Sequence, residues 1–263
     1  MNVISLGFRT DLMLLEMGGS VIVDRSTHQV VRSPANPGFW WGNFLLLGSP
    51  LREGDAEHWE HEFREYFADA THLALGVDGV DGEAGEVAEL TRLGVTVETF
   101  AVFTADEMDA PGPTPPGIDI RPLDGDDDWE QAAGLRRTCD DGDYADPAYR
   151  EFADVRQSEL RRLCESGYGA WFGAFVDGRL AAGLGMFTDG SGLARYQNVQ
   201  TDPGFRRRGL ASLLVRHAGY WGLTELRATT LVIVADPDHH AATLYRKLGF
   251  THAEHQVQLL RGA

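Results

Sequence analysis

The apolar and polar positions of the chain fall into two halves that a proline-rich stretch separates. In the first half, apolar runs predict strands at residues 20–23, 39–47, 73–77 and 95–103, and helical spacing predicts helices at 56–68 and 83–93. Residues 109–117 contain four prolines, which neither continue a helix nor fit a central strand. We therefore predict a first domain at residues 1–110, a linker at 111–117 and a second domain at 118–263.

The second half shows a clearer alternation of elements. The patterns predict strands at residues 118–123, 170–176, 179–187, 193–201, 231–235 and 255–260, and helices at 126–139, 149–166, 208–221 and 239–248. Asp177-Gly178 stands between two apolar runs, which is typical of a β-hairpin. Because strands both precede and follow helices, we expect a mixed α/β sheet with a helical crossover.

Composition and charge narrow the classes of function. No apolar run approaches the roughly 18 residues that a membrane-spanning helix needs. The two cysteines form no CxxC motif and the chain opens without a basic and apolar leader, so we expect a cytoplasmic protein. The net charge is −17, and the first 116 residues hold 19 acidic and 6 basic side chains. Such a surface repels nucleic acid and anionic lipid and favours cationic partners.

One segment of the second half predicts an anion site. A strand is expected to end at Thr201, Pro203 breaks it, and a helix follows, so the backbone N–H groups of residues 207–212 lie at a helix N-terminus. The helix dipole favours an anion there, and Gly209 lets one approach the backbone closely. Three arginines at 206–208 add cationic donors. The segment is suited to a pyrophosphate group.

The same residues carry a resemblance to a known family. Arg206-Arg207-Arg208-Gly209-Leu210-Ala211 resembles the (Gln/Arg)-x-x-Gly-x-(Gly/Ala) signature of the GNAT superfamily of N-acetyltransferases. Val199-x-Thr201-x-Pro203 stands just ahead of it, as in family members. Residues 238–250 resemble the family's Asn-x-x-Ala-x-x-Leu-Tyr-x-x-x-Gly-Phe helix, with Asp238 in place of the asparagine. The resemblance covers residues 117–263.

The resemblance implies an α/β GNAT fold, a mixed twisted sheet with flanking helices. The first half looks like a reduced, degenerate copy, which gives two GNAT-like units in tandem. Gly82–Glu86 is where its pyrophosphate loop is expected, and two glutamates there would repel the anion.

The resemblance also implies acetyl-CoA as co-substrate, with the pantetheine arm along the strand at residues 199–201. The implied cofactor-binding residues are Val199, Gln200, Thr201, Arg206, Arg207, Arg208, Gly209, Leu210, Ala211, Ser212, Asp238, Ala241 and Tyr245. Tyr245 matches the family's general acid, whose phenol protonates the departing CoA thiolate.

The general base and the acceptor site stay open. Many relatives carry a glutamate on the fourth strand, but residues 194–198 offer no carboxylate. We assign Asp236 as the catalytic carboxylate, with the 140–143 loop as the alternative. The predicted acceptor-binding residues are Asp140, Asp141, Asp143 and Tyr196, where three carboxylates would attract a cationic amine. No histidine or cysteine cluster predicts a metal site.

The sequence therefore predicts an acetyl-CoA-dependent N-acetyltransferase that acts on a primary amine of a small molecule or a peptide. We expect a monomer or homodimer without nucleic-acid or membrane partners. The alternative is a non-catalytic acyl-CoA-binding protein with a regulatory or scaffold role, which the missing carboxylate and the acidic first half favour.

Overall fold

The computed structural model describes residues 1–140, 142–237 and 240–262. The chain forms two compact units that are not contiguous in sequence. Unit 1 comprises Met1–Phe103, Val234–Ala242 and His252–Ala263, and unit 2 comprises Thr104–Ile233 and Thr243–Thr251. The division into domains at residues 110 and 118 stays a prediction.

Helices and strands alternate along the chain. The helices are α1 (Leu6–Gly18), α2 (Asp55–Tyr66), α3 (Ala88–Arg92), α4 (Gly125–Cys139), α5 (Pro147–Glu165), α6 (Leu210–Thr224) and α7 (His240–Lys247). The strands are β1 (Val21–Asp24), β2 (His28–Arg32), β3 (Phe44–Leu47), β4 (Leu73–Val77), β5 (Thr96–Ala105), β6 (Ile118–Pro122), β7 (Gly169–Val176), β8 (Arg179–Phe187), β9 (Leu193–Thr201), β10 (Thr230–Ala235) and β11 (Thr251–Arg261). No helix in the described part of the chain is long and apolar enough to cross a bilayer.

Unit 1 is a mixed sheet with a helix on each face. Its strand order is β1-β2-β3-β4-β11-β5, and β3 runs parallel to β4. Alternate residues of β3 serve the two faces: Leu45 and Leu47 pack in the cluster that contains α2, whereas Phe44 and Leu46 pack in the cluster that contains α1. All four side chains are fully buried, which explains why β3 is apolar at every position.

Unit 2 is built in the same manner around a sheet of five strands. Its strand order is β10-β9-β8-β7-β6, with β9 parallel to β10 and the other pairs antiparallel. Leu135 of α4 lies against Gly183 of β8, and Gly222 of α6 lies against Met186, three residues further along that strand. Successive residues of a strand point to opposite faces, so α4 and α6 cover opposite faces of this sheet.

The two units repeat one arrangement of elements. Three antiparallel strands, a crossover helix and a parallel strand appear as β1 to β3, α2 and β4 in unit 1, and as β7 to β9, α6 and β10 in unit 2. This confirms the predicted tandem GNAT-like fold. It corrects the position of the degenerate loop, because the crossover helix of unit 1 is α2. The counterpart of Arg207–Ala211 is therefore Arg52–Ala56 and not Gly82–Glu86.

Gly85 has a structural role instead. Leu51 donates its N–H to Ala84 O at 3.0 Å and accepts from Glu86 N–H at 2.9 Å. Gly85 between them has φ +81°, and a Cβ there would lie 2.2 Å from Leu51 O. The close approach of the two segments requires glycine.

We expect Gly85→Ala to destabilise the protein by about 2 kcal/mol or more, since left-handed strain and a backbone clash act together. At about 2–4 °C per kcal/mol, the melting temperature should fall by several degrees. Gly79→Ala is the matched control, because a Cβ at Gly79 meets nothing within 4 Å. Equal melting temperatures for the two variants would contradict this role of Gly85.

Candidate functional site

The predicted anion-binding segment forms an open helix N-terminus in unit 2. After β9, residues Pro203–Phe205 make one turn of 3-10 helix, and α6 begins at Leu210 with Gly209 as its N-cap. No side chain caps this end, and Leu213 N–H donates to Gly209 O at 3.1 Å. The N–H groups of residues 210–212 consequently have no acceptor within the helix.

The backbone around Gly209 is shaped for an anion. Arg207 and Gly209 have φ of +63° and +78°, and such left-handed residues turn neighbouring N–H groups toward one concave side. A Cβ at Gly209 would meet nothing within 4 Å, so the approach is open. The side chains of Arg206, Arg207 and Arg208 are exposed. These residues fit a pyrophosphate, since donors, positive charge and space coincide.

Strand β9 extends well past its pairing with β10. Parallel pairs are described from Leu193↔Thr230 to Arg195↔Val232, and β9 then continues for six residues to Thr201. The rest of β9 contains a β-bulge. Gly185 pairs with Gln197 and Gly183 with Gln200, so an advance of two residues on β8 corresponds to three on β9. Asn198 lies in the bulge with φ +47°. Val199, Gln200 and Thr201 follow, half-buried, as the predicted backbone edge for an extended ligand.

Unit 1 lacks these features at the equivalent place. Gly54 is the N-cap of α2, with φ +85° and no side-chain cap, as Gly209 is for α6. Gly54 comes seven residues after Leu47, the last residue of β3 that pairs with β4. Gly209 comes fourteen residues after Arg195, the last residue of β9 described as paired with β10. The shorter loop removes the strand extension.

The loop of unit 1 also carries the opposite charge. Glu53 and Asp55 flank Gly54, and Asp55 Oδ2 accepts from Arg52 N–H at 2.9 Å. Two carboxylates at a helix N-terminus interact favourably with the dipole themselves and repel a further anion.

Tyr245 is a buried phenol in unit 2. It is 4% exposed and its ring centroid lies 6.1 Å from that of Phe250. Burial raises the pKa of Tyr245 to about 12, so the hydroxyl keeps its proton throughout the neutral range. Tyr245 can therefore donate a proton or a hydrogen bond, but it cannot serve as a base.

Tyr196, a predicted acceptor-binding residue, packs against the same ring. It is 2% exposed, its ring lies 5.7 Å from that of Phe250, and its hydroxyl donates to Val215 O at 2.8 Å. Burial, with a smaller contribution from Tyr245, raises the pKa of Tyr196 well above its usual value. The Tyr196 hydroxyl thus connects β9 to α6. To donate to an acceptor molecule, it would have to break its hydrogen bond to Val215 O.

The remaining predicted residues occupy separate positions. Asp236 is exposed just after β10 and belongs to unit 1. Ala241 is half-buried in the first turn of α7. Asp238 and Asp141 lie outside the described residues.

Asp140 is engaged within the protein at the end of α4. Its Oδ2 accepts from Tyr149 Oη at 2.7 Å and Tyr144 Oη at 3.2 Å, and lies 3.6 Å from Arg136 Nε. Burial raises the pKa of Asp140, but these hydrogen bonds and the charge of Arg136 outweigh it and the net pKa is lowered. Asp140 is consequently an ionised carboxylate and a weak base, and the positive charge of Arg136 offsets part of its field. Asp143 is exposed and accepts from Ala145 N–H at 2.9 Å.

Several residues near the site went unnoticed in the sequence. A small cavity of about 20 Å³ is lined by Trp129, Ala132, Arg136, Gln157, Leu160, Trp171, Asn198 and Gln200. Cys139 is the last residue of α4, the helix that supplies Trp129, Ala132 and Arg136 to this cavity. Burial raises the pKa of the Cys139 thiol, and this effect exceeds the lowering by Arg206 and the Thr201 backbone. The only feature of the sequence that could have indicated the bulge is Asn198 itself, because asparagine adopts positive φ more readily than most residues. Among the described residues, no group of three or more metal-ligating side chains is assembled.

Comparisons with known proteins agree with this geometry. Residues 129–250 match the Acetyltransferase (GNAT) family, a range that contains the Gly209 loop and Tyr245. No curated protein matches the chain.

Solved structures show the same fold over nearly the whole chain. A conserved protein of unknown function from Staphylococcus epidermidis aligns with TM-score 0.70 and 12% identity over 91% of this chain and 92% of that one. A GCN5-related N-acetyltransferase from Kribbella flavida aligns with TM-score 0.64 and 16% identity over 99% and 97%. A tandem GNAT protein from the clavulanic acid biosynthesis pathway aligns with TM-score 0.57 and 16% identity over 92% and 81%. Residues 129–250 therefore form a domain of the GNAT acetyltransferase family, whose members use acetyl-CoA.

Proposed function

We propose that this protein transfers the acetyl group of acetyl-CoA to a primary amine, at one cofactor site in unit 2. The open N-terminus of α6 at Gly209 is the observation that carries the proposal. It combines three uncapped N–H groups, exposed arginines and free space beside the backbone. The equivalent end of α2 is acidic and lacks the strand extension, so we assign no cofactor to unit 1.

The residues divide the binding of the cofactor between them. Arg206, Arg207 and Arg208, with the N–H groups of Gly209, Leu210, Ala211 and Ser212, would hold the pyrophosphate. The backbone of residues 199–201 would pair with the pantetheine arm. The roles of Asp238 and Ala241 in binding the cofactor stay predictions from the family motif.

Two proton transfers accompany the reaction. An alkylammonium has a pKa of about 10.4, so the acceptor must lose a proton before its nitrogen attacks the thioester. The departing thiolate must gain one, and Tyr245 holds its proton for this purpose. Asp236 and the 140–143 loop stay the candidates for the base. Within that loop, the lowered pKa and the occupied oxygen of Asp140 make its carboxylate unsuited to proton abstraction.

The acceptor that we propose is a cationic small molecule or peptide amine. The net charge of −17 supports this assignment, as does the exposed Asp143 after α4. Asp140 contributes less than its sequence position indicates, because Arg136 and two tyrosines engage it. We place the activity in the cytoplasm and in a monomer or homodimer.

We expect kcat/KM for a diamine to fall by about threefold or more between 50 and 500 mM salt, because added ions screen electrostatic steering. The comparison is an ω-amino acid of equal length, whose carboxylate cancels the ammonium charge and whose kcat/KM should change little. Equal rates for cationic and acidic acceptors, or equal salt dependence of both, would contradict a cationic acceptor.

Free thiol release from acetyl-CoA across a panel of amines tests the proposed function. Release that depends on the amine supports an N-acetyltransferase. Tight binding of CoA with no release for any amine would instead support the alternative, a non-catalytic acyl-CoA-binding protein with a regulatory or scaffold role.

A further inference from the structure

An arginine outside the family motif reaches the cofactor loop. Arg179 is the first residue of β8, directly after the hairpin turn at Asp177 and Gly178, whose φ are +52° and +82°. Its guanidinium donates to Asp202 Oδ2 at 2.5 Å. Asp202 is the residue between the end of β9 and the 3-10 turn that leads to Gly209.

Asp202 is hydrogen-bonded to both the 3-10 turn and strand β8. It is 8% exposed, and its Oδ1 accepts from Gly204 N–H at 2.8 Å. Its backbone N–H donates to Ala181 O of β8 at 2.9 Å, and its carbonyl accepts from Phe205 N–H at 2.8 Å. A single buried carboxylate thus holds the turn to the hairpin, and Arg179 compensates its charge.

The ring of Phe205 extends the contact toward the anion site. The guanidinium carbons of Arg179 and Arg208 lie 5.2 Å and 4.9 Å from its centroid. Both distances are typical of cation–π contacts. Arg208 immediately precedes Gly209 and belongs to the proposed anion site. The Phe205 ring therefore contacts both Arg208 and Arg179.

We propose that Arg179 is a positioning residue for the cofactor: through Asp202 and Phe205 it holds the Arg206–Gly209 loop in its binding conformation before acetyl-CoA arrives. The inference rests on the proposed function for what the loop binds, but not for how the loop is held. Arg179 itself is 64% exposed on its side chain and touches no reacting atom.

Cleavage by trypsin measures how ordered the loop is, because the loop carries three successive exposed arginines. In the protein without CoA, Arg179→Gln should accelerate cleavage after residues 206–208 by about tenfold, the usual effect of losing one hydrogen bond between charged groups. Asp202→Asn, which keeps the acceptor for Gly204 N–H, should do the same, and the double variant should be no faster. Arg179→Lys should restore most of the protection.

Arg161→Gln is the matched control, since Arg161 forms ion pairs with Asp126 and Glu165 on the surface of the same unit. It should leave cleavage of the loop unchanged. A general loss of stability in Arg179→Gln would accelerate cleavage at all exposed arginines and would lower the melting temperature, and that result would overturn the proposal.

Kinetics supply the second readout. Arg179→Gln should raise KM for acetyl-CoA by about tenfold while kcat and the acceptor KM stay within about twofold of wild type. Faster loop cleavage in Arg179→Gln, together with no binding of CoA by the wild type, would leave the positioning role intact and refute the proposed function. Unchanged cleavage, or an unchanged KM for acetyl-CoA, would refute the positioning role alone.

Discussion

Gly209→Asp abolishes binding of CoA if the N-terminus of α6 holds the pyrophosphate. The new carboxylate would enter the space that is open beside Gly209 and would bring a negative charge to the N–H groups of residues 210–212. Losing two hydrogen bonds to a charged group costs about 3–6 kcal/mol, which corresponds to an affinity loss of about 100-fold or more. Calorimetric titration with CoA measures this loss directly.

Gly54→Asp provides the matched control within the same chain. Gly54 is also a left-handed N-cap with nothing within 4 Å of a Cβ, so the backbone strain of the two substitutions is comparable. We expect Gly54→Asp to leave one CoA bound per chain with unchanged affinity. Loss of binding in Gly54→Asp and not in Gly209→Asp would move the cofactor site to unit 1 and contradict the account.

Tyr245→Phe should lower kcat by about 10²–10⁴, the usual contribution of a general acid, with little change in CoA affinity. The substitution keeps the ring that packs near Phe250 and removes only the O–H. Since burial raises the pKa of Tyr245 to about 12, the wild-type rate should rise with pH as the amine loses its proton. Tyr245 should add no falling limb below about pH 10.

The measurement is kcat at saturating acetyl-CoA together with the melting temperature of each variant. Tyr220→Phe is the control, because Tyr220 is an exposed residue of α6 in unit 2. An unchanged kcat in Tyr245→Phe, with chemistry limiting turnover, would remove Tyr245 from the mechanism.

The conformation of the candidate cofactor loop was predictable because its causes are local. The Arg206–Gly209 loop combines a proline that ends a strand, a glycine N-cap and a run of arginines within ten residues. Each acts through the backbone nearby, and the structure has the same strand, turn and helix in that order. Tyr245 was predictable from the motif, but its burial depends on Phe250 and on packing that no local pattern encodes.

The errors come from contacts between distant residues. Helix α1 escaped the pattern because Leu12 to Leu15 are all buried, which leaves no helical period to detect. The predicted strand at residues 39–47 breaks because the Asn43 side chain bonds Ser33 N–H and Phe39 O and holds a turn. Pairing with Leu51 removes residues 84–86 from the predicted helix and leaves only α3.

The partners of a strand also depend on distant residues. The sequence predicts the last strand at residues 255–260 but not its neighbour: β11 pairs with β4, with Val257 opposite Val77. Likewise, Asp140 appeared in the sequence as one of three acidic residues in a loop. Its hydrogen bond from Tyr149, nine residues on, and its ion pair with Arg136 form only in the folded loop.

The central claim is that unit 2 acetylates an amine at its single cofactor site. Its most direct test is mass-spectrometric measurement of acetylated amine together with CoA released, for the wild type and Gly209→Asp. We expect equal amounts of the two products from the wild type, only when an amine is present, and neither from Gly209→Asp. Release of CoA without an acetylated amine, or equal turnover by both proteins, would contradict it.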